Sequence, residues 1–162
     1  DDFSEWGEKD REEQRIVTEY IESCFRNIVG TEPLISGPEL RQAGVVSHLC
    51  TMFTLNKSLS PGEISRLINA LHPTPAVGGF PLREALKIIC ETENRERRYY
   101  AGYLGPVLDK NNFDLFVNLR CMEIFSNCVH VYVGGGITKF SQPQLEWTET
   151  EIKSRTMLDL IK

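Results

Sequence analysis

The chain has little of what marks a thiolate-metal, redox or nucleic-acid protein. Its five cysteines include no C-x-x-C pair, and it has only three histidines. No His/Cys ligand set of the kind zinc needs is in sight. Cys24, Cys50, Cys90, Cys121 and Cys128 form an odd set and read as reduced thiols of a cytoplasmic protein. Basic residues are in the minority, 18 Lys and Arg against 23 Asp and Glu, for a net charge of -5. That balance argues against a nucleic-acid surface, and the small basic cluster Arg95, Arg97, Arg98 is interrupted by Glu96. No apolar run is long enough to span a membrane, and nothing reads as a signal peptide. Repeats, low-complexity tracts and linkers are also missing.

What remains is 162 residues, 41% hydrophobic and 25% charged, enough for one domain with a real core. Residues 8 to 29 have the period of a long amphipathic helix, with Ile16, Val17, Tyr20, Ile21, Cys24 and Ile28 on its apolar face and Gly30 and Pro33 ending it. Residues 39 to 56 read as extended chain, with partial alternation in VVSHLCTMFTL. Ser60-Pro61-Gly62-Glu63 is a capped helix start, and that helix stops before Pro73. TPAVGGF is a loop, and PLREALKIICETE a further helix. Residues 99 to 108 and 113 to 125 read as strands joined by the turn Asp109-Lys110-Asn111-Asn112. CVHVYVGGG would add a third strand, making an antiparallel meander. A final helix runs from about 143 to 161, with Ser141 placed to cap it and Pro143 in its first turn. The mixture predicts an α+β fold, an antiparallel sheet flanked by helices.

Both terminal helices carry an acid where an apolar residue belongs. At about 100° per residue, Glu149 falls between Leu145, Ile152 and Leu160, which predicts that it is buried. Glu146 and Lys153 lie together at the edge of the same arc. In the first helix Glu13 falls among Ile16, Val17, Tyr20 and Cys24. Burying a carboxylate costs on the order of several kcal/mol unless something compensates. Either each Glu sits half exposed at a helix end, or two helices bring Glu13 and Glu149 to one hard cation with Glu146 nearby. An all-carboxylate set suits Mg²⁺ better than Zn²⁺.

Other positions carry two readings each. His72 in LHPTPAVGG is either a helix C-cap or a polar group held at a cleft by two prolines. Gly134-Gly135-Gly136 is either a bulge or turn, or a run of N–H groups that cradles an anion. It is no dinucleotide fingerprint, since the spacing and the following helix are absent. Arg120, in LFVNLRCMEIF, is either a solvated strand residue or a bidentate carboxylate clamp.

Together these pieces resemble the chorismate-binding enzymes. EKDREEQ, HPTPAVGGFP, ENRERRYYAG, LRCMEI, GGGI and EWTETEIK occur in that family's order from about Glu8 to the end. The HPTPA form looks like the isochorismate synthase branch; anthranilate and aminodeoxychorismate synthases usually carry a PAGT-like sequence there. The resemblance implies Mg²⁺-dependent conversion of chorismate to isochorismate for menaquinone or siderophore synthesis. By it, Glu13 and Glu149 match the metal ligands and Glu146 a carboxylate acting through water. Arg120 and Lys153 match the substrate-carboxylate contacts, Tyr100 and Gly134 line the substrate pocket, and His72 lies in the loop beside the ring. The sequence departs mildly from the family at Arg98, where isochorismate synthases often have Gly, and at GGGI for GAGI.

The family's Lys base and Glu acid lie upstream of the EKDREEQ motif, and DDFSEWG holds neither in a matching context. The 162 residues therefore read as a single partial domain, the C-terminal portion of the catalytic domain, inactive alone. Part of a shared core would expose strand edges and apolar surface and so invite self-association. A non-catalytic chorismate-binding module is the alternative from another functional class.

Overall fold

The computed structural model describes residues 7–43, 46–109 and 112–161. The chain forms two compact units, Asp1–Ala76 and Val77–Lys162.

The first unit is built on α1 (Glu8–Val29), as its period predicts. Gly30 ends it at φ 70°, and its N–H donates to the Arg26 carbonyl, the left-handed exit that glycine adopts at least cost. Cys24, Phe25 and Val29 are buried with Leu67 of α2 (Pro61–Leu71), and Tyr20, Ile21 and Phe53 pack around them. The Phe25 and Phe53 rings stack at 6.2 Å. Tyr20 Oη donates to the Ala70 carbonyl at 2.7 Å, so the phenol is satisfied at the helix–helix contact. Beside the helices lies a hairpin, β1 (Leu34–Ala43) and β2 (Val46–Thr54), paired antiparallel from Leu34↔Thr54 to Ala43↔Val46. The single extended run expected over 39 to 56 is thus the end of one strand and the whole of the next, and residues 44 and 45 between them lie outside the described ones. The start of β1 escapes the sequence pattern because Pro33, Gly37 and Pro38 read as breakers. Gly37 and Pro38 occupy an irregularity in the register, where Gly37 has φ 101°.

The short α3 (Pro75–Gly78), inside what reads as loop, contains the division at residues 76 and 77, and the second unit continues with α4 (Leu82–Thr92). The next strands form a broken hairpin. β3 (Tyr103–Leu104) pairs with β6 (Phe116–Val117), and β4 (Val107–Asp109) with β5 (Asn112–Phe113). Lys110 and Asn111 of the expected turn lie outside the described residues. β7 (Cys121–Ile124) and β8 (Val129–Tyr132) form a separate pair.

The three-stranded meander is therefore corrected: among the described residues the sheets are all two-stranded. The predicted second strand breaks at residues 118–120. There Asn118 Nδ2 donates to the Tyr99 carbonyl at 2.9 Å, and the Leu119 N–H turns back to Val117 O at 3.0 Å. Its two halves consequently serve different partners. The chain closes with α5 (Pro143–Leu158), which contacts β8. Pro143 takes its first turn as expected, but the N-cap is Gln142 and makes no side-chain cap bond. Ser141 Oγ accepts instead from the Thr138 N–H at 3.0 Å. The α+β class holds. No helix among the described residues is long and apolar enough to cross a membrane.

Large apolar side chains remain exposed, including Leu34, Phe80, Val107, Phe116 and Leu145. Light scattering on the isolated 162-residue chain should detect self-association through such surface; a clean monomer would refute it. At α2, Ser60 and Glu63 form a reciprocal capping box. The Ser60 hydroxyl, its backbone N–H and then Lys57 hold the Glu63 carboxyl down to about 2, from an ordinary 4.5. A depressed carboxylate stabilises the fold fully above its unfolded value and loses that contribution as pH falls through the folded one. Ser60→Ala should cost about 1 kcal/mol at neutral pH. Urea titrations should show this variant losing less further stability than the parent between pH 4.5 and pH 2.

Candidate functional site

The site is assembled in the second unit where β8 runs out into Val133–Gly136 and meets α5. No positive φ occurs at Gly134 or Gly135, so neither is there to make a turn. Space is the reason. A Cβ on Gly134 would lie 2.5 Å from Tyr100 Oη, and one on Gly135 would lie 3.3 Å from Glu146 Oε2 and 3.7 Å from Glu149 Oε1. The backbone passes against a phenol on one residue and against two carboxylates on the next.

Those carboxylates reverse the expected burial. Glu146, placed by sequence at the edge of the arc, is the buried one, at 9% exposure. Glu149, placed at its centre, keeps a side chain 40% exposed. The arc itself explains the correction: Leu145 and Ile152 are exposed, and so is Leu160, which lies past the end of α5 at Leu158 and not in the helix expected to run to 161, so α5 does not bury the face that its apolar positions define. It turns Glu146 inward instead, beside Val133, Gly135, Ile137, Pro143 and Trp147, in the wall of a cleft of about 560 Å³. Glu146 stands in the first turn of α5, where the helix dipole favours a negative charge.

Lys153, one turn beyond Glu149, is ion-paired and hydrogen-bonded to Glu149 Oε1 and donates to the Gly134 carbonyl at 3.1 Å. Glu149 thus has a cationic neighbour within its own helix. Tyr100 is half-buried, and its phenol is pushed up by that burial, while Arg97 and Arg120 pull it the other way. The Arg97 guanidinium lies over its ring at 5.8 Å, and the Tyr132 ring stacks on it at 5.8 Å.

Of the residues singled out by sequence, Tyr100, Gly134, Glu146, Glu149 and Lys153 meet here. Arg120 stands in the bend after the broken strand, not in a strand, so strand parity says nothing about where it points. Its Nη1 donates to the Leu119 carbonyl at 3.1 Å. Glu13 and His72 belong to the first unit. Glu13 Oε1 is buried there, with Lys9 Nζ at 3.7 Å. His72 is the C-cap of α2, its N–H donating to Ile68 O at 3.1 Å, and a cis peptide joins it to Pro73. Among the described residues no three His, Cys, Asp or Glu gather into a metal cluster.

Sequence reasoning missed a contact series next to the site. Glu123 accepts from Arg98 Nη1 on one oxygen and from Tyr132 Oη on the other, both at 2.5 Å. One signal was present in LRCMEI: Glu123 shares strand parity with Leu119 and Cys121, an acid on a side otherwise apolar.

A family model described as chorismate binding enzyme matches residues 6–162. The isochorismate synthase of Escherichia coli is 35% identical over 153 residues, covering 94% of this chain and 39% of the relative. The salicylate biosynthesis isochorismate synthase of Pseudomonas aeruginosa is 33% identical, covering 94% of this chain and 32% of the relative. A crystal structure from Bacillus anthracis, assigned as a 2,3-dihydroxybenzoate-specific isochorismate synthase, superposes with TM-score 0.80 at 28% identity, over 96% of this chain and 42% of that one. The chain thus spans about two fifths or less of the curated relatives it matches.

The tight passage at Gly134 is open to test. Gly134→Ala should lower stability by about 1–3 kcal/mol, the usual cost of overpacking. Tyr100→Phe removes the oxygen in the way and leaves the ring carbon Cζ, at 3.7 Å, in ordinary contact. Added to a Tyr100→Phe protein, Gly134→Ala should then cost less than half as much. Equal costs in the two backgrounds, read from denaturation midpoints, would refute the close approach.

Proposed function

Because the chain belongs to the chorismate-binding enzyme family, we propose that it is the magnesium- and substrate-binding part of an isochorismate synthase, which converts chorismate to isochorismate. One observation carries the reading: the Glu146 and Glu149 carboxylates converge beside Gly135, while Lys153 ties Glu149 to the Gly134 carbonyl. The names of the relatives favour the isochorismate branch over the ammonia-using synthases.

The donor set suits a hard divalent cation. A Cβ on Gly135 would fill the space that Glu146 Oε2 and Glu149 Oε1 border, and both donors are carboxylate oxygens, the ligands Mg²⁺ takes together with retained waters. Within the second unit, Glu146 and Glu149 would hold the ion. Bound there, Mg²⁺ would supply charge neutralisation and Lewis-acid polarisation for a substrate carboxylate.

The chain's own residues do the remaining work. Chorismate is a dianion at neutral pH, and a protein of net charge -5 repels it at long range. The Arg120 guanidinium and the Lys153 ammonium offset that repulsion locally and bind carboxylate. Arg120 offers a planar fork of donors, while Lys153 is a point charge already anchored on the Gly134 carbonyl. Tyr100, held by Arg97 and Tyr132, walls the pocket against Gly134. Moving the hydroxyl to another ring carbon needs a base to take a proton from the attacking water and an acid to protonate the hydroxyl that leaves, so that one water enters and one departs. Family resemblance assigns that Lys and Glu to sequence before the EKDREEQ segment, so the 162 residues alone should not turn chorismate over.

The test is chorismate consumption with Mg²⁺, products separated and identified, for the complete gene product and for this chain. Isochorismate from the complete protein and none from the chain is the expected result. In the complete protein, Glu149→Ala should lose about a hundredfold or more of the Mg²⁺-dependent rate; a loss under threefold would refute the metal role. An aminated product would point to the anthranilate or aminodeoxychorismate branch. Binding without turnover would point to a non-catalytic module.

A further inference from the structure

We propose that Arg98 is a positioning residue: through Glu123 and Tyr132 it fixes the Tyr100 ring against Gly134, and so sets one wall of the substrate pocket. The proposal rests on the reading that Tyr100, Gly134 and Lys153 face substrate.

Arg98 stands at φ 51°, in the left-handed region that residues with a Cβ rarely adopt, and Ala101, across Tyr99 and Tyr100, stands at φ 62°. Two such residues bracket the tyrosine that reaches the site. A glycine at position 98 would meet the backbone demand at less cost. The ion pair that Arg98 makes is a weak reason for it to be there, since its side chain is 53% exposed and exposed pairs add little to stability. Folding alone therefore gives no account of an arginine at this φ, and backbone outliers of this kind concentrate at functional sites.

The side chain does have a destination. Arg98 Nη1 donates to Glu123 Oε1, and Tyr132 Oη donates to Glu123 Oε2. Glu123 on β7 and Tyr132 on β8 are thereby tied across the hairpin, and the guanidinium fixes the carboxylate from the far side. The Tyr132 ring then stacks on Tyr100 with 22° between planes. Tyr100 Oη lies 2.5 Å from where a Gly134 Cβ would be, and the Gly134 carbonyl holds Lys153. Each link is a direct contact within the second unit, and the series runs from a strained turn to the proposed substrate-binding ammonium. The Glu123 hydrogen bond also pushes the Tyr132 phenol up, so Tyr132 remains a donor to Glu123 throughout the neutral range.

The test uses the complete gene product and two variants. Arg98→Gly removes the guanidinium while suiting the backbone, so loss of folding is not expected. Arg98→Lys keeps the positive charge. Steady-state chorismate kinetics are read beside thermal unfolding and beside NMR of ring-labelled tyrosine, with Tyr100 and Tyr132 assigned by substitution. Arg98→Gly should raise KM about three- to fivefold, the effect of losing one exposed charge contact, with kcat within about twofold and Tm unchanged or higher. The Tyr100 and Tyr132 resonances should both move, and Arg98→Lys should recover part of both effects. An unchanged KM overturns the proposal, as does a KM change with neither tyrosine resonance displaced. If the parent protein shows no chorismate turnover, the proposed function fails, and the tyrosine spectra alone then decide whether Arg98 positions Tyr100.

Discussion

The backbone of Gly134 and Gly135 passes between a phenol and two carboxylates, with no room for a side chain at Gly134 and only a tight fit for one at Gly135. The polar geometry of the second unit depends on that passage. The Gly134 carbonyl accepts from Lys153, nearly three turns into α5. The same ammonium reaches Glu149 on the preceding turn, which is the i, i+4 neighbour relation of a helix put to use. The strand exit thus decides where the helix must sit, and the helix then decides where its charges fall.

Charge compensation follows the same order. Glu146 is the most buried acid of the second unit's site and stands at the N-terminal end of α5, where the dipole offsets part of its cost. Glu149 stays half exposed beside Lys153 and needs less. Opposite them the aromatic pair Tyr100 and Tyr132 is surrounded by arginines, with Arg97 over one ring and Arg98 acting through Glu123. Lys153, Arg97 and Arg98 thereby place cationic groups around Gly134 and Tyr100, where the proposed substrate would bring two negative charges.

Legibility from sequence divides along physical lines. Local signals hold: the period of α1, the capped start at Ser60–Glu63 and Gly30 as the end of α1 all appear as read. Each is decided within a few residues. Tertiary signals do not transfer as well. The segment from 113 to 125 has strand composition throughout, yet Asn118 takes the Tyr99 carbonyl with its side chain, and the ladder breaks there. No pattern within the segment shows that a distant carbonyl waits for that amide. Glycine at 134 and 135 was legible as special, but the reason was not. Turn chemistry and anion cradles are written in the local backbone, whereas exclusion by Tyr100 and by α5 is written thirty-odd residues away on one side and about eleven or more on the other.

The two acids of α5 show where periodicity stops carrying information. A 100° rotation per residue ranks positions around a helix by angle; it does not say which angle faces the rest of the unit. Leu145, Ile152 and Leu160 define an arc that the unit leaves exposed, and Glu146 is buried although it stands only at the edge of that arc. A helix that turns an acid inward and leaves leucine outward is held by something other than apolar burial. Here one such contact is that of the Lys153 ammonium with the Gly134 carbonyl, while its pair with Glu149 lies within the helix. Polar contacts fix such a helix in angle more sharply than in energy, because an ammonium placed one position away would miss the Gly134 carbonyl by a full 100° of rotation. Angle is what a pair of carboxylates needs if both are to face one cation.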